Sequence, residues 1–319
     1  MKKSMNIKAS VIIPTFNKAE RLKIMLISIA QVSLIEECEV IIVNDGSIDN
    51  TSDILNEVIN SHLAERINLK VITTKNMGRS HARNCGIQNS SGELLIFSDD
   101  DLILDREFVL NHIACHKDSN NLVVHGRIYD IPFLKFFKNP FTGELYEGGF
   151  AKGKLKSKLL ESSIFFNGDI NNYLKKNARI GKFERDIYSL LVATSMNDSY
   201  VRWMSFVGGN VSILKKNMIY FDNDMGKDWG CEDLEVGYRL YKKGMLFYYS
   251  DKAVNYHMSH YRNNFKKIHN NSLSFFYKKH KDISIQLLNE YFNNKHKTLI
   301  EWKNEVDKFN LLQKDEVEL

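Results

Sequence analysis

The sequence predicts an α/β fold, a doubly wound and mostly parallel central sheet followed by a helical C-terminal extension. Three observations predict it. Short apolar runs at 9–14, 39–43, 69–72 and 93–97 lack in–out alternation, so they read as strands buried on both faces. Stretches with apolar residues at helical spacing separate these runs, the pattern of crossover units. Beyond His260 the chain turns helical, Lys-rich and aromatic.

The elements follow in order. Residues 9–14 form the first strand, and Leu22, Met25, Leu26 and Ile29 lie on one face of the next helix. The second strand, 39–43, ends at Asn44-Asp45-Gly46-Ser47. Asp49 or Asn50 is placed to cap a helix carrying Ile54, Leu55, Val58 and Ile59. The third strand spans 69–72, and a short helix spans 80–88. The fourth strand, 93–97, runs into Ser98-Asp99-Asp100-Asp101. A helix over 105–115 and a strand at 122–125 follow. From 131 to 200 the pattern loosens into mixed aromatics and lysines, which reads as an elaboration covering the site. Regular signals return at 206–213, in a helix over 232–243 ended by Gly244, and in a strand at 246–249.

Composition bounds the class. The 319 residues are 43% hydrophobic and 26% charged, which supports a packed core and excludes wholesale disorder. Mean hydropathy is -0.33, and no apolar run reaches the roughly 18–20 residues that span a bilayer. The start lacks the apolar region of a cleaved signal. The four cysteines are widely separated with no CxxC pair, so neither a disulfide scaffold nor a zinc knuckle is expected, and the cytoplasm is the expected compartment. The net charge of +5 suits a phosphorylated substrate, nucleic acid or an anionic membrane surface without selecting among them.

Ligands of such sheets bind beyond the carboxyl ends of strands. Polar punctuation falls at those ends here: Pro14-Thr15-Phe16-Asn17, Asn44-Asp45-Gly46-Ser47 and Asp99-Asp100-Asp101. Adjacent carboxylates are costly without a cation or proton between them, and oxygen-rich sites suit Mg or Mn bridging to phosphates. A solvated acidic turn is the alternative. Asp45 is placed either to close a turn or to accept a hydrogen bond from a base imide. The segment Asn76-Met77-Gly78-Arg79, continuing to Arg83, opens a helix with glycine and arginines, which suits a diphosphate. Asp228-Trp229-Gly230-Cys231-Glu232-Asp233 puts adjacent carboxylates at a helix start, for capping or for general base work. His257, returning after a strand, would complete a metal site with the acidic triplet; His260 lies nearby.

In this order the segments resemble the inverting glycosyltransferases of family 2, with the GT-A fold. Residues 10–17 match the family's opening strand and nucleotide loop. Val43-Asn44-Asp45-Gly46-Ser47 matches its DDGS element, with Asn44 replacing the first Asp. Asn76, Gly78 and Ala82-Arg83-Asn84 match its third element, Asp99-Asp100-Asp101 its DxD motif, Gly208-Gly209-Asn210 a donor-sugar loop, and Trp229-Gly230-Cys231-Glu232-Asp233 its ED segment. The Trp-Gly-x-Glu-Asp form is also similar to chondroitin-polymerase-type transferases and to peptide-directed N-acetylgalactosaminyltransferases, the latter retaining.

The resemblance covers about residues 8–260 and implies roles. Pro14, Thr15, Asn17, Asp45, Asn76, Gly78, Arg83, Asp99 and Asp100 would hold the nucleotide, with Asp45 reading the base and Asp99 on the ribose side. Gly209 and Asn210 would lie near the donor sugar. Asp101 and His257 would bind a divalent metal, Mn or Mg. Asp233 would be the catalytic base, Glu232 would support it or bind the acceptor, and Trp229 would form a wall for an acceptor sugar ring. The implied organisation is a GT-A domain over 1–260, with a nucleotide-binding half at 1–105 and a donor-sugar and acceptor half at 106–260. The helical basic extension is 261–319.

The implied activity is metal-dependent, inverting transfer from a nucleotide-sugar, a UDP-sugar, to a glycan, lipid-linked, peptide or small-molecule acceptor. Retaining or peptide-directed transfer is the alternative within the class. A nucleotidyltransferase and a non-catalytic membrane-surface or nucleotide-binding protein are the alternatives outside it. No nucleic-acid partner is expected. Peripheral contact with the inner face of a membrane through 261–319 is one reading of that segment's basic and aromatic residues.

Overall fold

The computed structural model describes residues 8–147, 159–160, 163–225, 230–261 and 265–317. The strands are β1 (Ala9–Thr15), β2 (Cys38–Asn44), β3 (Asn68–Thr73), β4 (Leu94–Ser98), β5 (Leu102–Leu104), β6 (Leu122–Asp130), β7 (Arg179–Ile180), β8 (Asn210–Leu214) and β9 (Leu246–His257). The helices of the first half are α1 (Ala19–Ile29), α2 (Thr51–Ile59), α3 (Leu63–Arg66), α4 (Arg79–Gln88) and α5 (Phe108–Cys115). Those of the second half are α6 (Ser163–Phe166), α7 (Ile170–Asn177), α8 (Lys182–Ala193), α9 (Ser199–Arg202), α10 (Glu232–Lys242), α11 (Phe265–His280), α12 (Ile283–Phe292) and α13 (Leu299–Val317).

Among the described residues the strands form one sheet in the order β3-β2-β1-β4-β8-β6-β9-β5, with β7 paired to β6. β1 pairs in parallel with β2 and β4, and β2 with β3. β8 enters antiparallel to both β4 and β6, so the predicted α/β sheet is of mixed direction in its second half. The missing alternation has the expected cause. Val11 and Ile13 pack with Leu22 and Leu26 of α1 on one face of β1, while Ile12 packs with Ile87 of α4 on the other. β3 differs, because it is the edge strand and leaves residues exposed. β6 and β9 also run well past 125 and 249. They pair in parallel from Leu122↔Leu246 to Asp130↔His257, with an irregularity between Gly126 and Ile128.

Register gathers the strand ends on one rim. Thr15 lies opposite Asn44, Asn44 opposite Thr73, and Ser98 opposite Asn210. The loops after β1, β2, β3 and β4 therefore meet the loop before β8. Asp49 joins two helix starts there: its Oδ1 accepts from Thr51 N at 3.0 Å and its Oδ2 from Ala19 N at 3.1 Å. Asp49 rather than Asn50 thus supplies the side-chain cap of α2.

The C-terminal helices share the core of the second half. Trp203, fully buried, meets Tyr238 of α10, Phe276 of α11 and Trp302 of α13 edge-on at centroid distances of 5.5, 5.9 and 6.0 Å. All four cysteines are free. No helix among the described residues is long and apolar enough to cross a membrane.

Helix α10 is held tightly at Gly237. A Cβ there would lie 2.5 Å from the Trp203 carbonyl oxygen and 2.7 Å from Phe206 Cβ. Gly237→Ala must therefore push α10 away from the loop it abuts. It is expected to cost about 1–3 kcal/mol, read as a lower urea midpoint at unchanged slope. A midpoint equal to that of the unsubstituted chain would show that the approach is not tight.

Candidate active site

The rim opens into a cavity of about 370 Å³ lined by Pro14, Thr15, Asp45, Asn76, Gly78, Arg79, Asp99 and Asp100. Local hydrogen bonds shape it. Asp45 Oδ1 accepts from Met77 N at 3.0 Å and from the Thr74 hydroxyl at 3.1 Å, and Oδ2 accepts from Gly78 N at 2.8 Å. One buried carboxylate thus fastens the loop that begins α4. Gly46 is needed beside it. Its φ is +74°, and a Cβ would lie 2.8 Å from Asn76 N. Asn17 ties the first loop to the second, accepting from Ile48 N at 2.8 Å while its own N–H donates to Ser47 Oγ at 3.0 Å.

The acidic triplet diverges into separate environments. Asp99 accepts from Arg83 Nη2 at 2.9 Å. Asp100 and Asp101 both face the Lys18 ammonium, which is 3.4 Å from Asp100 Oδ1 and in contact with Asp101 Oδ2. Burial pushes the Asp100 carboxyl up despite Lys18. Burial also opposes charge on Asp101, yet Lys18, His257 and His260 hold it well below the usual carboxylate range. His257 Nε2 lies 3.7 Å and His260 Nε2 lies 3.1 Å from Asp101 Oδ2. The ligating atoms of Asp101, His257 and His260 all fall within 4.8 Å of one another.

These residues fit a divalent cation. They offer one carboxylate oxygen and two imidazole nitrogens, a donor set compatible with Mn. The other nitrogen of His257, Nδ1, donates to Asp130 Oδ1 at 2.8 Å, which orients the ring as a second carboxylate does at many metal-binding histidines.

The carboxylates of the ED segment are split. Glu232 is buried, and its Oε1 accepts from Arg83 Nη1 at 3.0 Å and Arg79 Nη1 at 3.3 Å. Burial opposes its charge, but the two guanidiniums overcome this and hold Glu232 down at about 2. Asp233, the next residue, is half-buried where Glu232 is enclosed. Its Oδ1 accepts from Leu234 N at 2.8 Å and its Oδ2 from Gly208 N at 3.3 Å. Desolvation by the surrounding protein and the Glu232 charge push it up to about 6. Arg83 itself is fully buried, and a Cβ on Gly208 would lie 2.5 Å from its Nη2.

Most predicted residues thus converge. Pro14, Thr15, Asp45, Asn76, Gly78, Asp99 and Asp100 line the cavity, and Arg83 joins Asp99 to Glu232. Gly209 is brought close, with a Cβ position 3.4 Å from Asp99 Oδ2. Asn210 follows Gly209 with its side chain engaged inside the sheet. Fully buried, it donates to the Arg127 and Ala253 carbonyls at 3.1 and 3.0 Å and pairs with His112 at 2.8 Å, so it braces strands. Trp229 and the central part of the expected cover, 148–158, lie outside the described residues. Sequence reasoning missed Lys18 and Asp130, and left His260 as a neighbour of His257. Only the pairing of β6 with β9 puts Asp130 opposite His257.

Comparison with known proteins bears on the family and the fold. The family profile described as Glycosyl transferase family 2 matches residues 10–179. A Bacillus subtilis protein named uncharacterized glycosyltransferase YfnE is 31% identical over 274 residues, 79% of this chain and 65% of that protein. Chondroitin synthase of Escherichia coli is 27% identical over 258 residues, 78% of this chain and 34% of that protein. This chain therefore spans less than two thirds of the length of either. A solved structure of S. aureus TarS in complex with UDP-GlcNAc matches with a TM-score of 0.52 at 20% identity, over 90% of this chain and 73% of that one, which is a likeness of fold.

Proposed function

This chain belongs to glycosyl transferase family 2, and from that premise we propose that it moves a sugar from a UDP-sugar to an acceptor hydroxyl with inversion, Asp233 acting as the general base. The observation that carries the reading is the split between neighbouring carboxylates. Glu232 is held ionised by arginines, while Asp233, half-buried next to it, is pushed up to about 6. A base poised near neutral pH combines the right protonation state with driving force for proton transfer. The fold shared with TarS, which was solved with UDP-GlcNAc, supports a UDP-sugar as donor.

The chain's own residues divide the work. Pro14, Thr15, Asp45, Asn76 and Gly78 shape the walls for the nucleoside, and Arg79 and the start of α4 face the diphosphate. Asp101, His257 and His260 would hold Mn or Mg. The bound ion would supply Lewis-acid stabilisation of charge on the departing diphosphate. The acceptor oxygen attacks the anomeric carbon as the bond to the diphosphate breaks, and the acceptor proton passes to Asp233. Glu232 keeps Arg79 and Arg83 in place and is not itself the base, because its charge is committed to them.

Calorimetric titration of UDP with Mn, and again with chelator, tests the reading. Binding is expected to require Mn and to be lost in Asp101→Ala; no UDP binding under either condition would overturn it.

Lys18 adds a second expectation. Its ammonium lies among the three candidate ligands, 3.0 Å from His260 Nε2 and touching Asp101, so an incoming cation must displace it. Lys18→Met is expected to tighten Mn binding about tenfold, roughly 1.4 kcal/mol, followed by the paramagnetic resonance signal of free Mn. Equal or weaker binding would show that Lys18 does not compete for the site.

A further inference from the structure

A second cavity, of about 380 Å³, abuts the ED segment, with Glu232 and Asp233 in its wall. The first cavity reaches the same point from the nucleotide side, through Arg79 and Asp99. The Arg79–Glu232 ion pair, 3.3 Å long, thus lies where the two meet. The base-candidate Asp233 belongs to the second cavity alone, so a group presenting a hydroxyl to it enters from that side.

The lining of this second cavity is mostly apolar. Phe183, Val207, Leu234, Tyr291 and Phe292 make its walls. Its side-chain polar groups are few. Lys182 is already engaged, 3.5 Å from Asp186 Oδ2 and 4.7 Å from the centre of the Tyr291 ring. His269 is packed edge-on against Phe292 at 4.3 Å and meets Cys231 Sγ at 3.7 Å. Asn294, Asp233 and the Tyr291 hydroxyl, which donates to Asp186 Oδ2 at 2.8 Å, complete the set among the described residues, since Glu232 is committed to the arginines. A bare monosaccharide would bring more hydroxyls than these groups can pair, and each one left unpaired in such surroundings opposes binding. Lys182, the one lysine of the described lining, is shared with Asp186, so the described lining presents no cation reserved for an anion.

We infer that this chamber is an acceptor site for a neutral amphiphile, a hydroxyl carried on a hydrocarbon or aromatic body. The hydroxyl meets Asp233, and the body lies against the aromatic cluster formed by Phe183 of α8 with Tyr291 and Phe292 of α12, whose centroids are 6.5 and 6.0 Å from that of Phe183. The inference rests on the proposed transferase reading for the role of Asp233, while the preference for an apolar body rests on the lining alone. It also gives α12 a part in substrate choice besides its part in the core.

The probes are n-octyl β-glucoside, kept below its micelle concentration, and methyl β-glucoside, each titrated calorimetrically into the full chain. Burying an alkyl chain should make the octyl compound bind at least about 30-fold more tightly. Phe183→Ala and Phe292→Ala, made separately so that one folded variant suffices, should each remove most of that preference. Equal binding of the two glycosides overturns the inference. So does an octyl preference untouched in a folded variant, since the chain would then be bound elsewhere. The UDP titration separates the two readings. UDP binding without octyl preference sinks the chamber and leaves the transferase standing. Octyl preference without UDP binding leaves the apolar chamber standing and sinks the transferase.

Discussion

Asp233→Asn is expected to lower sugar transfer by about 10²–10⁴-fold, the usual worth of a positioned general base, while UDP and Mn still bind. The amide cannot take the acceptor proton, but it leaves Arg79, Arg83 and Glu232 paired. The same residue sets the pH profile. Asp233 is raised to about 6, so the rate should fall as pH drops below about 6 and level off above it. Its effect on stability has the opposite sense. A carboxyl raised above its usual value of 3.8 favours the fold fully below that value, and the contribution is lost as pH rises through about 6. Activity should therefore be gained over the interval in which this group's contribution to stability is lost. Transfer by Asp233→Asn at the rate of the unsubstituted chain, with its pH profile unchanged, would remove Asp233 from the mechanism.

Arg83→Met is expected to cost about 3–5 kcal/mol of stability, the range for breaking a buried ion pair. The guanidinium is fully buried and joins Asp99 at 2.9 Å to Glu232 at 3.0 Å, with its Cζ 5.2 Å from the centre of the Phe221 ring. Methionine fills part of the space but leaves Asp99 without this partner and Glu232 with Arg79 alone. Arg83→Lys should recover little, because a point charge cannot span both partners as a planar fork does. Urea denaturation measures the loss. A kinetic effect should accompany it: Arg83 helps to keep Asp233 ionised, so any residual activity of a folded variant should have its acid limb moved to higher pH. A stable Arg83→Met chain with an unmoved acid limb would show that Arg83 is not coupled to the base.

Much of this was legible in the chain itself. The runs at 9–14, 39–43 and 93–97 declare buried strands because a strand covered on both faces has no reason to alternate. Asp45, Asp99, Asp101 and Asp233 stand out because each follows an apolar strand or opens a helix, positions where a parallel sheet presents its ligands. The split between Glu232 and Asp233 was not legible. The residues are adjacent in sequence, and their separation depends on Arg79 and Arg83 arriving from another helix. The same holds for Lys18, whose ammonium enters the acidic triplet from the loop after β1.

Local sequence therefore determined β1 to β4, most of the helices between them and the rim on which the polar residues fall, because those follow from periodicity and from which residues end an element. The tertiary structure alone decided which polar groups are spent and which remain available. Register set Asp130 beside His257 and turned Asn210 inward to His112 and two carbonyls. Packing of α8 and α12 against the second half built an apolar chamber from Phe183 and Phe292, residues with no local reason to meet. The physical reason is common to all of these. Burial and charge act through distance in space, and the chain's order along the sequence does not carry that distance until the sheet has closed it.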